Sequence, residues 1–387
     1  MASPLPTASQ PQRLASSPPF RHDHVGSFLR PKTIHQARLL HSKGEMTDEQ
    51  LRKVEDAEIK SLVERLISEG VKTLTDGEFR REYFHLDFLK HLQGVTVSKN
   101  TLEQESSSPP TLSITSKLGH PVDIEVRNFE YLKSLVPPER HRHIKVTIPS
   151  PTMCHFRGGR AAISQQAYPD LEDFFRDLAE CYRQEIDALY KAGCRYLQLD
   201  DTNLAYLTDP EMRRQAEQRG EDLEELPKRY ISLINSSLSS RPADMVVAVH
   251  LCKGNFRSRH FAKGSEQGYA PIAQLLLQGL QVDSFFLEWD DESRSGKDFS
   301  TLDYLPPTKS VVLGLVSSKL ADLEDERGLE EKVRSAASFV PKGIQQLAIS
   351  PQCGFSSTVH GNEITEEDQF EKLRLCARVA KAVWGEN

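Results

Sequence analysis

The amino-acid sequence predicts an α/β protein: a single-domain (β/α)8 TIM barrel behind a disordered tail. Three observations carry this. Eight short apolar, β-rich runs recur along the chain. Several are continuous rather than alternating, as strands buried on both faces must be. Helical patterns lie between many of them, and the 387 residues suit a fold that occupies roughly 200 to 400. An open doubly wound sheet is the runner-up. It calls for a glycine-rich turn after the first strand, and His24-Val25-Gly26-Ser27 offers one glycine there.

The elements follow in order. Residues 1–20 are rich in Ser, Pro, Ala and Gln with few apolar anchors, which reads as a disordered tail. Arg13 and the lack of acids before Asp23 allow a weaker organelle-targeting reading, but the stretch is poorly amphipathic. The barrel is expected over 21–387. Its first run is 24–28. A helix opens at the N-cap residue Thr47, continues through Leu51, Val54, Ile59, Leu62, Val63, Leu66 and Ile67, and stops at Gly70. The second run is 71–75. Residues 95–125 read as an inserted loop or hairpin, because they hold Ser106-Ser107-Ser108-Pro109-Pro110. The third run, 143–149, is followed by a helix over 171–192 closed by Gly193, and then by the fourth run, 196–200. The fifth is 245–251, the sixth 284–288, the seventh 310–316 and the eighth 347–350. Helical patterns at 329–339 and 373–384 complete the chain.

Composition excludes several classes. Hydrophobic residues make up 38% and charged residues 27%, and mean hydropathy is -0.50, an ordinary globular balance. The net charge of -7 comes without a basic stripe, which argues against a nucleic-acid partner. No window holds the roughly 18 uninterrupted apolar residues of a membrane helix, and no signal-peptide segment follows the start. Six widely spaced cysteines, Cys154, Cys181, Cys194, Cys252, Cys353 and Cys376, do not form a disulfide framework. They suit a reduced, cytoplasmic protein.

The most informative residues close the fifth run. His250 and Cys252 stand two apart, so they share one side of a strand. Glu288 ends the sixth run and Cys353 follows the eighth. A His, two Cys and a carboxylate suit tetrahedral zinc. The ligands of a structural zinc finger come in close pairs; ligands scattered over three strand ends suit a metal held by a large scaffold. On spacing alone, buried cysteines that bind nothing are an equally good reading. In a barrel, however, function gathers at the C-terminal strand ends, and all four residues fall on that rim. Two thiolates, one carboxylate and an imidazole leave a zinc site with a net charge near -1. That favours holding a substrate thiol as thiolate over making hydroxide. Glu288, the hard ligand among soft ones, is the one expected to exchange for the incoming sulfur.

Other rim residues suggest the rest of a substrate site. Glu78 and Asp200 are placed to bind an ammonium group, and Asp201 reads as an ordinary salt-bridge partner or helix cap. Arg80 and Arg81 read as a solvated loop pair. Lys253 and Arg257 either orient an anion or lie on the surface. His155 and His360 are weak candidates for a proton shuttle.

These residues bring a family into view. The chain resembles the catalytic C-terminal barrel of cobalamin-independent methionine synthase, and more closely the short methionine-synthase-like proteins, from about residue 22 to 384. His250-Leu251-Cys252, Glu288 and Cys353-Gly354 carry the resemblance. It implies a zinc site of those four residues, and methyl transfer to the zinc-bound sulfur of homocysteine. It further implies that Val25, Gly26 and Ser27 hold the amino-acid carboxylate, that Glu78 contacts the amino acid and that Asp200 binds its ammonium group. Two departures stand out. The full-length synthase carries an additional N-terminal barrel for the polyglutamate tail of its folate, for which this chain has no room. The family's catalytic histidine follows strand seven, where this chain reads Ser317-Ser318-Lys319. The methyl donor therefore stays open between a short-tailed folate, a corrinoid protein and another methylated compound. A coenzyme M-like acceptor, a catalytically silent zinc and thiol binder, and a metal-free barrel like the uroporphyrinogen decarboxylases are the competing readings.

Overall fold

Six continuous apolar runs become six parallel strands because both faces of each find partners. The computed structural model describes residues 18–98 and 110–385. Within them, β1 (Gln93–Val97) and β2 (Leu112–Gly119) form an antiparallel hairpin. The expected tip of that hairpin, with Ser106 to Pro109, and most of the expected tail lie outside the described residues. Strands β3 (Lys145–Pro149), β4 (Tyr196–Asp201), β5 (Val246–Leu251), β6 (Ser284–Glu288), β7 (Ser310–Val316) and β8 (Leu347–Pro351) follow in spatial order, each parallel to the next. Their numbers coincide with the third to eighth runs of the sequence.

The first two runs close the barrel without forming regular strands. His22 bridges Ile349 of β8, and Leu74 bridges Ile144 beside β3, both in parallel sense. Phe28 N donates to Gly77 O at 3.1 Å and joins the two segments to each other. Side chains take the remaining ladder positions: the His24 ring engages Thr73 O at 3.1 Å, and Thr75 Oγ1 donates to Gly26 O at 2.8 Å. Gly26 at φ +142° and Gly77 at φ +68° leave the extended backbone a ladder requires. These are the two places where the sequence reading of a strand is corrected.

The alternation of strand side chains sorts the core into two. Inside the barrel, Val25, Tyr196, Ala248, Phe286, Val312 and Ala348 form one apolar layer, one residue from each of six barrel positions. Outside it, residues such as Leu197, Val249, Leu287 and Leu313 pack against the helices. The inner layer fixes the site above it. Ala248 faces inward, so His250 does too, and Phe286 does the same for Glu288.

Local chemistry sets the helix ends. Thr47 and Gln50 form a capping box at the start of the helix Asp48–Ser68. Gly193 at φ +110° ends Leu171–Ala192, as its sequence predicts. The helix expected at 329–339 runs Glu326–Ala337 because Asp325 caps it one turn earlier. The last helix is Glu366–Trp384 rather than 373–384. Its first two turns are mostly polar and carry little apolar periodicity, while Thr365 and Asp368 cap it. No helix among the described residues is long and apolar enough to cross a membrane.

Candidate active site

At the C-terminal end of the barrel, His250, Cys252, Glu288 and Cys353 converge, with one ligand atom of each within 4.8 Å of all the others. All four side chains are buried. β5 supplies His250 and, one residue beyond its end, Cys252, while β6 ends on Glu288. A register shift between β7 and β8 precedes the turn that brings in Cys353. Cys252 Sγ and Cys353 Sγ lie 3.3 Å apart. This approach holds the Cys353 thiol well below its ordinary pKa and lifts that of Cys252 well above it. Gly254 N donates to Cys252 Sγ at 3.3 Å.

The chemistry of this donor set fits a metal ion. Both ring nitrogens of His250 are buried and have no hydrogen-bond partner. Leaving such groups unmade is expensive in a buried site, and a metal ion is the partner the geometry offers. Glu288 is held from outside: Oε1 accepts Lys253 N at 3.0 Å, and Oε2 accepts Arg294 Nη2 at 3.0 Å. Each oxygen keeps a further lone pair for a metal. Tyr269 Oη, 2.9 Å from Glu288 N, fixes the backbone at the same residue. Such supporting contacts orient a ligand before the ion arrives.

A second group of acceptors lies beside the first. Asp200 pairs in register with His250 across β4 and β5. Burial, and then the neighbouring Glu78 carboxylate, raise the Asp200 pKa to about 7. Gln198 Nε2 donates to Asp200 Oδ1 at 2.7 Å, and Thr147 Oγ1 donates to Glu78 Oε1 at 2.8 Å. Glu78 Oε2 is buried without a hydrogen-bond partner. Val25, Gly26 and Ser27 adjoin these acids. A side chain on Gly26 would meet Thr147 Cγ2 at 2.7 Å and Glu78 Oε1 at 3.5 Å. Ser27 Oγ accepts Ser356 N at 3.4 Å, in the loop that follows Cys353. Two carboxylates that share a buried locus suit a substrate cation, whose charge would relieve their repulsion.

Some expectations are corrected. Arg80 and Arg81 are not solvated: Arg80 pairs with Asp56 at 2.5 Å, and Arg81 is buried between Glu125 at 3.0 Å and Glu78 at 3.6 Å. Lys253 is fully buried, and its Nζ donates to Arg294 O and Ser295 Oγ, each at 2.7 Å. Arg257 lies on the surface. His155 sits in the helical shell, with Nδ1 2.9 Å from Tyr230 Oη and its ring against Phe175. His360 lies in the loop after β8, with Nδ1 3.1 Å from Arg257 Nη2 and its ring against Phe256. Neither histidine belongs to the four-residue cluster. Asp201 accepts Leu204 N at 2.7 Å, the capping role its sequence suggests.

Several supporting residues carry no signal in the sequence. Arg30 is buried, and its guanidinium donates to Glu78 O at 2.7 Å and Arg81 O at 3.0 Å, and also to Ser356 O. It therefore clamps the loop on which Glu78 adopts φ +57°, a left-handed conformation unusual for a side chain of this kind. Arg30 acts across contacts between segments distant in the chain, which no local pattern encodes, while Arg294 and Tyr269 support Glu288 from the turn after β6 and from the β5–β6 connection.

Comparison with known proteins places this site in a family. The sequence pattern of the cobalamin-independent synthase catalytic domain matches residues 21–381. An uncharacterised Bacillus subtilis protein, YxjH, is 39% identical over 99% of this chain and 100% of its own length. A Trichodesmium erythraeum 5-methyltetrahydropteroyltriglutamate–homocysteine methyltransferase is 22% identical over 88% of this chain and 41% of its own length. Among solved structures, a Listeria monocytogenes protein assigned as a vitamin-B12-independent methionine synthase is 39% identical, with TM-score 0.76 over 95% of this chain and 99% of its own. A Shewanella B12-independent methionine synthase in complex with selenomethionine shares the fold at 18% identity, with TM-score 0.71 over 94% of this chain and 97% of its own. The chain belongs to the cobalamin-independent methionine synthase family, as a member of its catalytic-domain group, and that membership implies methyl transfer to a thiol.

Proposed function

We propose that this protein is a zinc-dependent methyltransferase that methylates the sulfur of homocysteine or a closely similar amino-acid thiol. The observation that carries the reading is the convergence of His250, Cys252, Glu288 and Cys353 within 4.8 Å, with both His250 nitrogens otherwise unpartnered. Zinc held by these four residues would supply a Lewis acid that keeps a substrate thiol ionised and nucleophilic near neutral pH.

The chain's own residues would do the rest. Asp200 and the unpartnered Oε2 of Glu78 would take the substrate ammonium. The Val25-Gly26-Ser27 segment, without a side chain at Gly26, would leave room for the carboxylate. Held at both ends, the amino acid would direct its sulfur toward Cys252 and Cys353. The sulfur then forms a bond to the methyl carbon as the donor's bond to that carbon breaks, and the electron pair leaves with the donor. Fixing both partners at this mouth turns a two-body encounter into an oriented one. The Shewanella relative, whose structure holds selenomethionine, supports an amino-acid product of this shape.

The test is turnover. Zinc-loaded protein would be incubated with homocysteine or coenzyme M and, in turn, with methyltetrahydrofolate, a methylated corrinoid and S-methyl donors, and products read by mass spectrometry. Methionine from at least one donor is the expected result. Methylated coenzyme M without methionine would move the acceptor to a thiol lacking the amino group. No product from any pair would favour the silent thiol binder, a reading that rests on the segment after β7 being Ser317-Ser318-Lys319, without a histidine.

A further inference from the structure

Below the two acids Glu78 and Asp200, the barrel interior carries a polar floor where an apolar layer would pack more simply. Thr147 of β3, Gln198 of β4 and Ala248 of β5 pair in register and share one inward-facing row. Asp200 and His250 occupy the next inward row toward the mouth. Ala248 belongs to the apolar layer, but Gln198 beside it is an amide with no exposed surface. Its Nε2 donates to Asp200 Oδ1 at 2.7 Å and to Val25 O at 2.6 Å. Two acceptors on one nitrogen fix the orientation of the amide, since the flipped group would set oxygen against oxygen twice. Its Oε1 is buried without a hydrogen-bond partner. An unmet buried oxygen is costly, and an apolar side chain of similar size would fill the space without that cost. What the amide adds is the pair of bonds from Nε2.

Those two bonds join the two halves of the substrate locus. Asp200 is an acid assigned above to the ammonium group, and Val25 O opens the segment assigned to the carboxylate. The next carbonyl, Gly26 O, accepts Thr75 Oγ1 at 2.8 Å, so side chains hold both carbonyls in turn. Gly26 lies directly against the floor and the other acid: a Cβ there would stand 2.7 Å from Thr147 Cγ2 and 3.5 Å from Glu78 Oε1. Thr147 Oγ1 donates to Glu78 Oε1 at 2.8 Å. Neighbours in one row therefore hold one acid each, Thr147 for Glu78 and Gln198 for Asp200. The cations around this floor have partners of their own. Arg81 lies 3.6 Å from Glu78 and 3.0 Å from Glu125. Lys145, one inward position below Thr147, pairs with Asp23 at 3.0 Å.

We propose that Gln198 is a specificity-determining positioning residue. It locks Asp200 and the 25–27 segment at one separation, so that the site prefers a thiol with an ammonium and a carboxylate on one carbon to a thiol with the carboxylate alone. This rests on the amino-acid thiol reading given above. Gln198 acts through Asp200 and the Val25 carbonyl rather than on the reacting atoms.

The experiment is calorimetric titration of zinc-loaded protein, without a methyl donor, with L-homocysteine and with 4-mercaptobutanoate, which keeps the chain and the carboxylate but lacks the amino group. Wild type should bind homocysteine about tenfold or more tighter, as one added charge-assisted hydrogen bond predicts. Gln198→Met removes the donor at similar volume. Gln198→Asn keeps the amide but is one methylene too short to reach both acceptors, and it serves if Gln198→Met does not fold. In these variants the preference should fall about tenfold, chiefly through weaker homocysteine binding, with zinc content unchanged. A purely structural role would weaken both thiols alike. A preference that survives in the folded variants, whether both affinities fall together or neither moves, would overturn the role of Gln198 and leave the amino-acid reading standing. Equal binding of the two thiols by wild type would refute the ammonium site itself, and with it both the amino-acid reading and this proposal.

Discussion

Cys252 and Cys353 are 101 residues apart in sequence, yet their sulfurs lie 3.3 Å from each other at the barrel mouth. Neither is disulfide-bonded. Zinc would separate their two negative charges and take both as ligands. Cys353→Ala is therefore expected to fall from about one bound zinc per chain to almost none, with the far-ultraviolet circular dichroism of the barrel retained. Elemental analysis of metal-replete protein checks this. Normal zinc content in the variant would remove Cys353 from the ligand set.

Recognition of the amino acid should separate from metal binding. Asp200→Asn and Glu78→Gln each remove a carboxylate from the proposed ammonium site and leave the four ligands in place. Both variants should keep their zinc and show KM for homocysteine raised about tenfold or more, in line with loss of one charge-assisted hydrogen bond. A thiol without an amino group should be affected little. Equal losses for both thiols would argue against these acids as an ammonium site.

Acid sensitivity should come from histidines outside the metal centre. Burial lowers His24 to about 4, His85 to about 3 and His155 to about 4. As pH falls below 6.5 the unfolded chain takes up protons at these positions and the folded one does not, so stability falls. The loss develops between about pH 6.5 and 4 for His24 and His155 and continues to about pH 3 for His85, and it approaches about 3 kcal/mol for His155 alone. His155→Gln should flatten part of this slope in denaturation followed at pH 7, 6, 5 and 4, while methyl transfer at pH 7 stays within about twofold of wild type. Lost turnover in a folded variant would restore His155 as a proton shuttle.

Gly354 couples the metal centre to the substrate segment. A Cβ there would collide with Ser27 Oγ, and its ordinary φ means that space alone requires glycine. Its carbonyl accepts Asn255 Nδ2 at 2.8 Å and Ser318 Oγ at 3.1 Å. Gly354→Ala should cost about 1–3 kcal/mol through overpacking and raise the KM for the thiol. Thermal unfolding and steady-state kinetics measure both, and Gly354→Ala with wild-type KM would show that Ser27 can move without consequence.

How much of this was legible depends on the range of the interactions involved. β3 to β8 were readable because unbroken apolar runs such as Val246 to Val249 have no other stable use than a doubly covered strand. Residues 24–28 and 71–75 were read as equally regular, but His24 and Thr75 use side chains where a ladder would use backbone. The four metal donors were legible one strand end at a time, since strand alternation and barrel polarity suffice to aim them. Lys253 was not, because only the fold shows that its chain runs inward to Arg294 O. Arg30 and Tyr269 gave no sequence signal: their partners lie in other elements, and polar residues of this kind are ordinary on a surface.

Under the proposed function, four side chains hold a zinc ion that accepts a substrate thiol. The most direct measurement is zinc-edge X-ray absorption on purified protein of known zinc content, with and without homocysteine. About one zinc per chain with two sulfur neighbours is the expected result, with a third sulfur gained when the thiol is added. Absence of zinc after metal-replete purification, or a sulfur count unchanged by homocysteine, would contradict it.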